Sequence, residues 1–174
     1  MDPFETLGIP RSFDVDLAAV ERAHRDLSRA LHPDRFVGAS PSERRAALTK
    51  AVAVNEAWRV VRDPIRRAEA LLGLAGGAPG EGAEPVADPE LLMDMLEQRE
   101  ALADARRARD LVAVRALART IEERARGVER AVGEAFGRGE AERHPEGIAR
   151  KLGELRFYRR FLDEVSAIED ELAA

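Results

Sequence analysis

The sequence predicts an all-α protein in which a short helix and a helical hairpin are followed by a three-helix bundle. Three observations carry that prediction. Apolar residues recur three and four apart over long stretches, as one face of a helix requires. Ser40-Pro41 and Asp88-Pro89 each place a capping side chain and a first-turn proline where such a stretch begins. Charged residues make up 35% of the chain and aromatic residues only 5%, against a usual charged share of about 25%, which favours elongated helical packing over a bulky core.

Taken in order, the first long element runs from Asp14 to Leu31. Val20, Ala23, Leu27 and Leu31 share one side of a 3.6-residue helix, and Arg22, Arg25 and Arg29 share the opposite side. One face packs; the other is a cationic stripe. Pro33 has no N–H and pushes His32 out of the α region, so the helix stops near Leu31 and His32-Pro33-Asp34 is displayed on a turn. Ser40-Pro41-Ser42-Glu43 then reads as N-cap, first-position proline and capping-box glutamate. It opens a helix carrying Leu48, Ala51, Val52, Asn55, Trp58 and Val61, antiparallel to the first.

Gly73, Gly76, Gly77, Gly80 and Gly82, with Pro79 and Pro85, interrupt any helix between Leu72 and Asp88. The expected division is therefore residues 1–74, a Gly/Pro-rich linker at 75–87, and a bundle at 88–174. Charge changes across that boundary. Residues 1–74 hold 12 Arg/Lys and 11 Asp/Glu, whereas the remainder holds 16 and 22, so the two parts are suited to different partners.

In the bundle, Asp88-Pro89-Glu90 starts a helix to about Ala105. The second helix shows Val114, Leu117, Ile121, Ala125, Val128 and Val132 as one packed seam and ends in a turn near Gly137, Gly139 and His144-Pro145. The third carries Ile148, Leu152, Leu155, Leu162, Val165, Ile168 and Leu172. More apolar residues are present than one seam needs. Beside Leu91, Met95 and Leu102, the residues Leu92, Met93 and Leu96 widen the first helix's apolar arc to roughly 200°, past the usual ~100°. Phe157 and Phe161 project nearly opposite the seam set by Leu155 and Leu162. The surplus has two candidate partners, the N-terminal part of the chain or a second protein.

Several function classes are excluded. No apolar stretch approaches the ~20 residues of a transmembrane helix, and Met1-Asp2-Pro3 opens no secretory signal, which points to a cytoplasmic protein. A net charge of -5 is unsuited to general nucleic-acid binding. There is no cysteine for a thiol nucleophile, metal or disulfide, and His24, His32 and His144 lie on separate segments without a metalloprotease or phosphate-loop motif. Neither a catalytic site nor a cofactor is expected.

The hairpin resembles the J domain of co-chaperones that engage DnaK-class ATPases. The likeness rests on His32-Pro33-Asp34, the arginine face before it, Phe4, Leu7 and Gly8, and Asn55-Glu56-Ala57-Trp58 with Asp63-Pro64, Arg67 and Ala68. It implies that Arg22, Arg25, Arg29, His32, Pro33 and Asp34 dock on the chaperone and stimulate its ATP hydrolysis. Further on, Leu92-Met93-Asp94-Met95-Leu96-Glu97-Gln98-Arg99-Glu100 and Leu155-Arg156-Phe157-Tyr158 resemble the scaffold-binding segments of the HscB-type co-chaperones of iron–sulfur cluster assembly. That likeness implies an L-shaped J domain plus bundle whose partners are an IscU-like scaffold and an HscA-class chaperone. Leu92, Met93, Leu96 and Phe157 would be the apolar contacts, with Glu97 and Glu100 as polar neighbours. A J protein for another client, and a purely structural helical adaptor, are the alternatives the residues leave open. The absence of cysteine departs from members that carry a zinc site ahead of the J domain.

Overall fold

A computed structural model describes residues 1–76 and 88–173. Most of the expected linker, residues 77–87, lies outside the described residues. The chain divides into two compact units, Met1–Ala78 and Pro79–Ala174, and among the described residues every regular element is helical.

The first unit begins with α1 (Pro3–Leu7), capped by Asp2, whose carboxylate accepts from the Phe4 amide at 2.8 Å and the Glu5 amide at 3.3 Å. Gly8 closes it in the left-handed region, φ 66°, where a side chain would be strained. Helix α2 (Leu17–Ala30) is capped by Asp16, and a 3₁₀ turn follows at Pro33–Phe36. Helix α3 (Pro41–Arg62) opens with the expected capping box: the Ser40 amide donates to Glu43 at 2.8 Å, and the Glu43 amide donates to Ser40 Oγ at 3.3 Å. Asp63 ends α3 and caps α4 (Pro64–Leu74).

Phe4, Leu7, Val20, Val54, Ala57 and Val61 form the core of this unit, with Leu27, Leu31 and Trp58 packed against it. The packed face of α3 therefore runs through Ala47, Val54, Ala57 and Val61, whereas Leu48 and Val52 are 63% and 61% exposed. Alanine at two of the four positions lets α1 and α2, which both contact α3, approach closely. At the α3–α4 corner the Arg67 guanidinium is buried, donates to the Val61 carbonyl at 2.8 Å and lies 4.8 Å over the Phe13 ring.

The second unit contains α5 (Pro89–Arg107), α6 (Leu111–Gly137), the one-turn α7 (Glu140–Arg143) and α8 (Pro145–Ala173). The segment expected to be a plain turn thus includes α7, which starts after Gly139 at φ 67°. Asp88 and Asp110 cap α5 and α6 through the amides of Glu90 and Ala113. Helix α6 packs on α5 and α8, and α5 packs on α8, giving a three-helix bundle.

The buried residues of α8 include Ile148, Leu152, Leu155, Tyr158, Phe161, Val165 and Ile168. Phe161 is completely buried, which corrects the expectation that it lies opposite the packed seam. The cause is the width of the packed arc. Glu164 and Glu171 pair with α5 on one flank of α8, and Glu169 pairs with α6 on the other. On a 3.6-residue wheel Phe161 falls between those flanks, inside the triangle of helices.

Candidate interaction surfaces

Two surfaces follow from this framework, one on each unit. On the first, Arg22, Arg25 and Arg29 are all exposed along α2. Arg22 pairs loosely with the Asp16 cap at 3.5 Å, while Arg25 and Arg29 make no ion pair among the described residues. A stripe of solvated, largely uncommitted guanidinium groups suits an anionic docking partner.

The stripe ends at the displayed turn. His32 is extended, φ -61° and ψ 135°, as a residue before proline must be, and caps the 3₁₀ turn by accepting the Asp34 amide at Nδ1, 3.4 Å away. The Asp34 carboxylate also lies 3.4 Å from Nδ1. His32, Pro33 and Asp34 are exposed and contribute nothing to the core.

The sequence reading missed how α2 is held. His24, one of the three histidines on separate segments, stacks on Trp58 of α3 with ring centroids 4.7 Å apart, and its Nε2 lies 2.9 Å from Asn55 Oδ1. The Arg62 guanidinium sits 4.2 Å over the same indole. These contacts fix the rotation of α2 on α3 and so aim the arginine stripe. Asn55 and Trp58, three apart, share a face of α3, but nothing local in the sequence ties that face to His24.

On the second unit Met95 and Leu102 are buried, and Leu92, Met93 and Leu96 remain 45%, 60% and 53% exposed. Glu97 and Glu100 are exposed on the same helix. Phe157 of α8 is half-buried, with the Arg160 guanidinium 4.7 Å over its ring. Arg99, on the flank of α5 that bears Leu92 and Leu96, pairs with Glu164 at 3.7 Å. Glu164 lies seven residues beyond Phe157, close to the same side of α8, so the exposed leucines and the phenylalanine border one junction. On the opposite flank Asp94 pairs with Arg124 of α6. Beneath them Tyr158 donates to Glu154 at 2.7 Å; burial first, then that bond, push its phenol well above the usual range. Among the described residues no group of His, Asp or Glu could hold a metal ion, and no helix is long and apolar enough to cross a membrane.

A family model described as the HSCB C-terminal oligomerisation domain matches residues 87–166, the region that holds the α5–α8 junction. A Burkholderia multivorans co-chaperone protein HscB homolog is 33% identical over 164 residues, covering 94% of this chain and 91% of its own length. This chain belongs to the HscB co-chaperone family. A Bordetella petrii HscB homolog is 42% identical over 105 residues, 60% of this chain and 62% of that protein. The structure of chaperone HscB from Vibrio cholerae matches with a TM-score of 0.87 at 29% identity over 99% of each chain. Human co-chaperone HscB shares the fold at TM-score 0.85 and 24% identity, covering 96% of this chain and 81% of its own. Within the HscB family fold, the first unit here is the J domain and the second the helical bundle.

Proposed function

We propose that this HscB-family chain captures an IscU-like iron–sulfur scaffold protein on the α5–α8 patch and delivers it to an HscA-class chaperone. In this reading His32, Pro33 and Asp34, with Arg22, Arg25 and Arg29, dock on the chaperone and stimulate its ATP hydrolysis. The chain supplies no ATPase chemistry of its own. The observation that carries the reading is the pairing of two unlike exposed surfaces in one family member. One is a cationic helix ending in a presented His-Pro-Asp turn; the other is a run of leucine and methionine left about half exposed on a bundle otherwise packed through Met95 and Leu102. Contiguous exposed apolar groups mark protein contacts, and a solvated arginine face recruits an acidic surface.

The test is the steady-state ATPase rate of a purified HscA-class chaperone with and without scaffold and this chain. Stimulation that needs the chain, rises further with scaffold and disappears in the His32→Gln variant supports the proposal. Full stimulation by that variant refutes the docking role of the turn. The oligomerisation wording of the matched family model favours a second reading, in which the patch joins two copies of this chain. Sedimentation velocity separates them: a dimer abolished by Met93→Ala/Leu96→Ala supports self-association, whereas a monomer leaves the patch to the client.

A further inference from the structure

Two ion pairs tie α5 to α8: Arg99 to Glu164 at 3.7 Å, and Arg106 to Glu171 at 2.5 Å, the latter with Nε and Nη2 both engaged. Both join residues 65 apart, and the two rungs are separated by seven residues on each helix. A constant offset means that the helices run parallel and in step. A heptad returns to nearly the same side of a helix, drifting only ~20°. The next rung along this stripe, about 10 Å further at ~1.5 Å per residue, is Leu92 with Phe157. That rung joins an α5 member of the docking patch to Phe157, its member on α8. Leu92 is 45% exposed, so burial alone does not set its partner. The other two helix pairs are braced likewise, α5 to α6 by Asp94–Arg124 and α6 to α8 by Arg115–Glu169 at 2.8 Å.

Resting on the docking role proposed above, we propose that Arg99–Glu164 and Arg106–Glu171 are a register lock for the patch. Arg106, Glu164 and Glu171 are then positioning residues: they act through the Leu92–Phe157 rung and do not touch the client. A slip of α5 by one turn would move Leu92 ~5 Å along α8 and split one apolar surface into two. Each exposed pair is individually weak. Reversing both glutamates is not, because each arginine then faces a like charge.

The chain has no cysteine, so a Leu92→Cys/Phe157→Cys variant carries the sole thiols, and cross-linking by a short bis-maleimide reports the rung without any client. Adding Glu164→Arg/Glu171→Arg slows cross-linking at least fivefold, and adding Arg99→Glu/Arg106→Glu to that chain restores it. In parallel, calorimetry with a purified IscU-type scaffold uses the full chain with its patch intact. There the two glutamate reversals weaken binding at least fivefold, about 1 kcal/mol at 1.4 kcal/mol per tenfold. The charge-swapped quadruple variant recovers the original affinity to within twofold, although its patch now borders Glu in place of Arg99. Far-UV circular dichroism verifies helicity throughout. Cross-linking indifferent to charge reversal overturns the lock. Register-sensitive cross-linking with unchanged scaffold affinity overturns the positioning role. An unaltered chain that fails to bind scaffold overturns the client reading and the positioning role, while cross-linking still decides the lock.

Discussion

Met93→Ala/Leu96→Ala separates a docking surface from a core, because the two side chains are 60% and 53% exposed whereas Leu102 on the same helix is 1% exposed. Fully burying a leucine or methionine is worth ~1.5–3 kcal/mol. With about half of each already in water, truncation forfeits roughly 1 kcal/mol or less per residue, and alanine's helix propensity returns a few tenths. For a chain of this length ~1 kcal/mol moves the melting temperature by ~2–4 °C, so the double variant should melt only a few degrees lower. Leu102→Ala should lose ~2–5 kcal/mol, since it leaves a cavity as well as lost contacts. Scaffold affinity should order the two variants the other way. At ~1 kcal/mol per central apolar contact the patch variant loses about thirtyfold in Kd, whereas Leu102→Ala, assayed well below its melting point, keeps its affinity. Calorimetric titration beside thermal melts makes the comparison. If both variants lose affinity in proportion to their melting points, Met93 and Leu96 act only as packing residues and the surface assignment fails.

The J-domain face makes sharper demands on kinetics than on stability. His32→Gln should abolish chaperone stimulation with no change in far-UV circular dichroism, since the residue is exposed and lies outside the core. Arg25→Ala should weaken docking at low salt and lose its effect at high salt, because attraction between solvated charges is screened within ~8 Å at physiological ionic strength; surface plasmon resonance across a salt series checks this. Ser40→Ala removes one half of the capping box and should cost ~0.5–2 kcal/mol in urea unfolding. Acid should act on unit one through two carboxyls. Burial pushes Asp2 up, but the Arg11 bond and the Glu5 and Phe4 amides outweigh it, and Ser40 lowers Glu43, so both sit below their ordinary values of 3.8 and 4.5. Depressed carboxyls stabilise fully above those values and lose that contribution as pH falls through the folded ones, below about pH 4. Asp2→Asn should flatten the acid limb of the stability–pH curve, measured by urea melts.

Helix starts were legible because their chemistry is local: Ser40, Asp88 and their prolines fix capping within one turn. The exposed turn at His32-Pro33-Asp34 was legible for the same reason. Packing direction was less so. Periodicity ranks residues by bulk, yet α3 turns Ala47 and Ala57 inward and leaves Leu48 and Val52 in water, a choice made by how closely α1 and α2 approach. Phe161 falls outside a one-seam pattern because α8 packs on two neighbours and buries a wider arc. His24 was invisible as a brace because its partners, Asn55 and Trp58, are 31 and 34 residues away.

Arg67 bears on where this chain can be cut. The Val61 carbonyl would ordinarily accept from the amide four residues on, but that amide, on Ile65, is taken by the Asp63 side chain at 3.0 Å, and Pro64 has none to offer. The guanidinium of Arg67 fills the gap from the end of the first turn of α4. A fragment ending at Arg62, where the hairpin itself closes, would lose that bond together with Ile65, Ala68 and Leu72, the buried apolar residues of α4. The smallest J module transplantable from this protein therefore extends through α4, and a fusion junction belongs after Leu74.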